Sequence, residues 1–191
     1  MTIISLFGRP GAGKSTVCRY LAERHGFLHL PLGDMLKDPD TLANIGINPD
    51  QMRVAIETGR TVTSEKLYPW LDSHLRTASA TVVDGYPRAA NSLAPYAALV
   101  DSLPAGRNAY ALYLDCPTVV THPRLHARGR PDDDDRIAMR DVEFDTVQLP
   151  LLKRLPERAR LVTVDASGDQ ATVIAAVEFA LDLPRASGRA R

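Results

Sequence analysis

Between Gly8 and Thr16 the chain reads GRPGAGKST, which places Gly8, Gly13, Lys14 and Ser15 in the spacing G-x-x-x-x-G-K-[ST]. Glycines let consecutive backbone N–H groups converge on an anion without side-chain obstruction, and a helix opening directly behind them adds the positive end of its dipole. A lysine in that position reaches β- and γ-oxygens of a nucleoside triphosphate as a point charge, while the following hydroxyl suits Mg²⁺. The context agrees, because the loop follows an apolar run, TIISLF (2–7), and opens an amphipathic stretch. A glycine turn before a surface helix with a solvated lysine is the alternative, and it accounts for neither the full pattern nor its placement. The loop predicts a nucleotide triphosphate without naming an acceptor.

A second constellation is VVDGYPR (82–88). Asp84 ends an apolar run predicted to lie beside the first strand, a position from which a carboxylate holds a magnesium-bound water. A turn aspartate before Gly85 is the other reading, and Arg88, four residues on and facing the same crevice, favours the first. The run DDDD (132–135) fits a solvated helix start better than a metal cluster, since consecutive side chains point around a helix. His25, His29, His74, His122 and His126 form no metal pattern, and His122 and His126 are expected on a solvated helix face.

These residues need a scaffold. Continuous apolar runs at 2–7, 27–30, 80–84, 109–115 and 160–165 read as buried strands. Helical patterns fall between them at 14–25, 34–38, 48–58, 63–77, 89–102, 117–128, 133–154 and 170–182, and the alternation predicts an α/β protein with a parallel sheet covered on both faces. The stretch 37–62, punctuated by Pro39, Gly46, Pro49 and Gly59, reads as an irregular excursion from that core. With 191 residues the chain suits one domain, expected over 1–183, followed by a frayed tail at 184–191. Lys+Arg and Asp+Glu balance at 23 each, which gives no reason to expect nucleic acid or a membrane surface as partner, so any anion site must be local. Cys18 and Cys116 lack metal-ligand spacing and read as reduced, buried thiols. No stretch approaches the roughly 18 apolar residues of a membrane span and no cationic leader precedes the first strand; a monomeric cytoplasmic protein is expected.

Taken in order, six motifs resemble the adenylate kinase-like nucleoside monophosphate kinases of the P-loop fold, across about 1–165. GRPGAGKST resembles that family's phosphate loop, with Pro10, Gly11 and Ala12 in place; LGDMLK (32–37) its S/T-G-D-x-x-R motif; IETGRTVTSE (56–65) its G-x-x-V segment; and VVDGYPR its D-G-F/Y-P-R. RLHARGRPDD (124–133) is similar to a short lid, and RDVEFDTVQLPLL (140–152) to the R-L-x-x-Y-x-x-x-T-x-P-L-I helix. The resemblance implies a five-stranded parallel sheet with a monophosphate-binding insertion at about 32–66 and a short lid at about 124–136, moving the γ-phosphate of ATP with Mg²⁺ to a nucleoside monophosphate. It implies a donor site of Gly8, Pro10, Gly11, Ala12, Gly13, Lys14, Ser15 and Thr16, with Ser15 direct to Mg²⁺ and Asp84 through water. Arg88 would hold the acceptor phosphate, Arg124, Arg128, Arg130 and Arg140 would clamp the transferring group, and Asp132 and Asp133 would orient the lid arginines. Gly33, Asp34, Lys37, Val62, Gly85, Asn91 and Ser92 would line the acceptor pocket. In-line transfer asks the protein mainly for positioning and cationic stabilisation, which this arginine inventory suits. Surface ion pairs are the alternative for any one arginine.

Three positions depart from the family pattern. Lys37 replaces a bidentate arginine by a point charge, Leu32 replaces a hydroxyl residue before Gly33, and Ser92, with Asn91 before it, stands where a base-reading Gln or Asn is usual. Either Asn91 or Ser92 reads another base, or the acceptor is not AMP. Two rivals stay open: a P-loop kinase of a small hydroxylated metabolite with Asp34 activating the hydroxyl, and a nucleotide-binding regulator with little transfer activity.

Overall fold

The computed structural model describes residues 2–57, 66–127 and 133–184, with side chains at all of these except 56–57 and 133–136. Five strands, β1 (Thr2–Gly8), β2 (Leu28–Leu30), β3 (Ala80–Asp84), β4 (Asn108–Asp115) and β5 (Ala159–Asp165), form one sheet in the order β2-β3-β1-β4-β5. Every pairing is parallel. The apolar runs of the central strands β1, β3 and β4 are continuous because both faces of the sheet are covered there, whereas the edge strand β5 leaves Leu161 exposed. Successive residues of a strand face opposite sides, so Ile3 and Val83 enter one core while Ile4 and Val82 enter the other.

On the Ile4 side, α1 (Lys14–His25) buries Val17, Cys18 and Leu21, and α10 (Gln170–Ala180) buries Val173 and Val177. On the Ile3 side, α5 (Leu67–Leu75) contributes Leu71 and Leu75, and α6 (Leu93–Asp101) contributes Tyr96, Leu99 and Val100. Ser5, buried in β1, donates to the Tyr96 hydroxyl at 3.1 Å, so this interior polar pair is satisfied. Both cysteines are free and buried, and burial pushes both thiols above their ordinary pKa.

The insertion between β2 and β3 is more regular than its punctuation implied. It holds α2 (Leu32–Met35), α3 (Pro39–Ile45) and α4 (Pro49–Glu57), and Leu32, Leu36, Leu42, Ile45 and Met52 join the Ile3-side core. α3 has no counterpart in the sequence reading, yet its signals are local: the Asp38 side chain accepts from the Thr41 N–H, Pro39 takes the first turn, and Gly46 closes the helix in the left-handed region. Punctuation taken for loop was a pair of helix caps. α2 begins at Leu32 rather than residue 34 because the Pro31 carbonyl already accepts from the N–H of Asp34 and of Met35.

After β4 come α7 (Thr118–His126) and α8 (Asp133–Glu143). The helix expected over 133–154 is interrupted: α8 runs into a π-helical segment, Phe144–Gln148, before α9 (Leu149–Leu152). Pro150 offers no N–H and its ring crowds the carbonyl four residues back, so the preceding turn widens, with the Leu149 N–H reaching the Phe144 carbonyl. Among the described residues no helix is long and apolar enough to cross a membrane.

Candidate active site

β1 delivers the glycine loop to the carboxyl edge of the sheet, where β3 ends beside it with Leu6 in register with Asp84. That edge is where open α/β sheets bind ligands. Gly8, Gly11 and Gly13 all have positive φ, at 151°, 82° and 95°. Gly11 is also hemmed in, since a Cβ there would lie 2.7 Å from the Thr121 carbonyl of α7. A Cβ on Gly13 would meet nothing within 4 Å, and no side chain caps the α1 N-terminus behind it. The Thr16 N–H turns back to the Gly13 carbonyl at 3.0 Å, and the start of the helix presents its positive dipole end with no side chain capping it. Lys14 folds over the loop and donates to the carbonyls of Gly8 and Arg9 at 2.8 and 3.2 Å. Ser15 Oγ lies 3.5 Å from Asp84 Oδ2.

Two cavities flank the loop and share Thr16. The first, about 330 Å³, is walled by Gly11, Val17, Arg124, Gln170, Val173 and Ile174. The second, about 520 Å³, is more polar and lined by Ser15, Arg19, His29, Gly33, Asp34 and Asp84. Asp34 pairs with the Lys37 ammonium at 3.2 Å, both side chains well exposed. His29 Nε2 is buried with no hydrogen-bond partner among the described residues, and burial holds its pKa below the usual histidine value against the pull of Asp84 and Asp34.

The arginines separate into distinct settings. Arg88, beyond Gly85 at the end of β3, meets Glu143 at 3.4 Å with a side chain 43% exposed. Arg140 lies half-buried on α8, three residues before Glu143. Arg124 is not gathered with them. Its guanidinium donates to three successive carbonyls after β5, those of Ala166, Ser167 and Gly168, at 2.9, 3.2 and 2.7 Å, and so walls the first cavity. The motif resemblance puts Arg124 in the phosphate clamp; in this structure its terminal nitrogens hold backbone carbonyls at the side of the loop.

Ser92 is likewise engaged with backbone. It is 3% exposed, and its hydroxyl donates to the Ala89 carbonyl while accepting from the N–H groups of Arg88 and Ala89, which leaves nothing for a base. Its work is to fix the turn that carries Arg88; Asn91 beside it is exposed. His122 departs from a purely solvated face, because its Nε2 lies 2.7 Å from Asp141 and ties α7 to α8. Val62, Arg128, Arg130 and Asp132 lie outside the described residues, as do the Asp133 side chain and much of the segments 56–65 and 124–136. Neither Arg9 nor the carboxylates Asp141, Glu143 and Asp145 were singled out in the sequence, where the i,i+4 spacing of Asp141 and Asp145 was the available signal. Arg9 makes a bidentate pair with Asp145, has Asp141 at 3.6 Å, and lays its guanidinium 5.0 Å from the centroid of Phe144.

Comparison with known proteins places these features in a family. The family model described as AAA domain matches residues 7–139. The chain is 28% identical to an adenylate kinase of Caulobacter sp. (strain K31), over 93% of this chain and 97% of that one. It is 28% identical to UMP-CMP kinase 3 of Arabidopsis thaliana, over 87% and 82%, and 29% identical to adenylate kinase 1 of Nostoc sp., over 89% and 92%. A match over most of the chain, which takes in the glycine loop and runs past β4, makes this chain a member of the AAA domain family.

Proposed function

We propose that this chain is a nucleoside monophosphate kinase, moving the γ-phosphate of ATP to a nucleoside monophosphate. One observation carries the reading: the uncapped, glycine-lined start of α1 stands between two cavities that share Thr16, one part-apolar and one polar. A donor nucleotide with its phosphates on the loop and an acceptor on the far side is the arrangement that uses both. Relatives named for adenylate and for UMP-CMP chemistry support the class, and at nearly equal identity they favour neither base.

In this reading the loop N–H groups and Lys14 hold the β- and γ-phosphates, and Lys14 exchanges its carbonyl contacts for phosphate oxygens. The donor base lies between the Arg124 guanidinium and the Val173–Ile174 wall. Arg88 releases its long contacts to Glu143 and takes the acceptor phosphate, with Arg140 close by on α8. An acceptor phosphate oxygen attacks the γ-phosphorus as its bond to the β,γ-bridging oxygen breaks, and ADP leaves. Ser15 and Asp84 offer hard oxygen donors that fit Mg²⁺, Ser15 directly and Asp84 through water, and the ion would neutralise charge on the phosphate oxygens. Since the Ser92 hydroxyl is occupied, base reading falls to Asn91 and to backbone groups. Val62, Arg128 and Arg130 keep the roles the motifs imply, as wall and clamp.

The test is ADP release by the purified protein with Mg-ATP and a panel of AMP, CMP, UMP, GMP and dTMP, beside a no-acceptor control. Acceptor-dependent turnover with one or two of them is expected, falling at least about 100-fold in Lys14→Ala, with an altered acceptor ranking in Asn91→Ala. ATP binding without turnover on any of these acceptors would reject the nucleoside monophosphate kinase in favour of a kinase of a small hydroxylated metabolite or a nucleotide-binding regulator.

A further inference from the structure

We infer that Arg9 is a positioning residue that fixes the phosphate loop to the segment carrying Arg140 and Glu143, so that the donor cradle and the acceptor-side arginines keep one relative placement. The inference rests on the kinase reading above and goes beyond it, because Arg9 itself touches no substrate.

The structure holds three of the described cations near the loop in different ways. Lys14 sits on two backbone carbonyls, which a phosphate readily replaces. Arg88 meets Glu143 at 3.4 Å, near the limit of a hydrogen bond, and is 43% exposed. Arg9 is gripped: Asp145 binds it through both terminal guanidinium nitrogens, Asp141 stands at 3.6 Å, and Phe144, 1% exposed, offers its ring at 5.0 Å. Its side chain is only 18% exposed. A phosphate would have to displace two carboxylates and a ring face to recruit it, so Arg9 stays where it is when nucleotide binds.

The far end of the clasp is equally fixed. Asp141 also takes His122 Nε2 at 2.7 Å, which anchors it to α7, and Phe144 stacks on Tyr113 of β4 with ring centroids 6.2 Å apart. Asp145 sits in the π-helical segment imposed by Pro150. Glu143, between the two clasping aspartates, is the partner of Arg88. One short stretch thus ties the loop, through Arg9, to the segment that carries Arg140 and that holds Arg88 through Glu143 until the acceptor phosphate takes it over, and in-line transfer depends on that spacing, where a displacement near 1 Å costs on the order of 100-fold in rate.

Arg9→Ala and Asp145→Ala, measured with whichever acceptor supports turnover, separate positioning from phosphate binding. Arg9→Ala is expected to lower kcat about tenfold or more while the KM for Mg-ATP changes less than about twofold. Asp145→Ala should lower kcat by a smaller factor, since Asp141 remains, and the double variant should be no worse than Arg9→Ala alone. Wild-type kcat in Arg9→Ala overturns the inference. So does a tenfold rise in the KM for Mg-ATP with Asp145→Ala unaffected, which would put Arg9 on the donor phosphates. If the wild-type protein shows no acceptor-dependent turnover, the kinase reading fails separately, and amide hydrogen exchange over residues 9–13 decides the clasp: faster exchange in both variants upholds it, and unchanged exchange overturns it.

Discussion

His29 shows how a single side chain ties the site to the solution. Its ring stands on β2 in the wall of the polar cavity, with Nε2 buried and no hydrogen-bond partner among the described residues. Burial disfavours the charged ring more than Asp84 and Asp34 favour it, and Arg19 adds to the lowering. The folded chain therefore binds this proton less readily than the unfolded chain. The stabilising contribution is present above the unfolded value of about 6.5 and is lost as pH falls through it. Between pH 7.5 and 5.5 the wild-type Tm should fall more steeply than that of His29→Gln, by thermal unfolding in matched buffers. Equal slopes would show that His29 is not the residue taking up the proton. The chemistry of His29 is invisible in the sequence, where it is one of five scattered histidines. Arg9 was passed over for a related reason, because its meaning lies in Asp145, 136 residues away. Lys14, Ser15 and Asp84 were legible because their pattern is local and the strand order brings the two pieces together.

At the scale of elements, the packing of α7 against the loop distinguishes two glycines that the sequence treats alike. Gly11 needs a positive φ and has the Thr121 carbonyl where a Cβ would go; Gly13 needs the positive φ only. Gly11→Ala should cost about 2–3 kcal/mol of stability and Gly13→Ala about 1 kcal/mol, since the second pays only for a left-handed alanine. Urea unfolding of both variants checks the order, and equal losses would mean that α7 yields to the added methyl. The central strands were readable because burial on both faces leaves continuous apolar runs, and all five strands lie within a residue of where the sequence placed them. Elements set by caps and prolines were less readable. Asp38, Pro39 and Gly46 are turn formers and helix caps alike, and only the Leu42 and Ile45 packing decides for α3. Pro150 gave its warning in the sequence, but the chain widened into a π turn rather than ending the helix. The choice between Asn91 and Ser92 as base reader was not legible in the sequence, because the same hydroxyl serves a base or a backbone turn, and here Ser92 is buried in the turn.

The whole molecule is two apolar cores divided by one sheet, and β1 belongs to both through Ile3 on one side and Ile4 and Leu6 on the other. The glycine loop is the direct continuation of that central strand, so loss of either core is felt at the cradle. Leu21 of α1 and Leu71 of α5 are both fully buried, in opposite cores. Leu21→Ala and Leu71→Ala should each cost about 2–5 kcal/mol through lost transfer energy and the cavity left behind. They share no contact surface across the sheet, so in the double variant the costs should add to within about 0.5 kcal/mol, provided that the chain unfolds as one unit. Unfolding followed by circular dichroism and by fluorescence of Trp70, which packs on the Leu71 side, separates the possibilities. Coincident transitions with additive costs mean that the insertion carrying α2, α3 and α4 is thermodynamically part of the sheet. An early fluorescence transition in Leu71→Ala alone would mean that this core opens by itself, and with it the wall of the polar cavity that Gly33 and Asp34 supply.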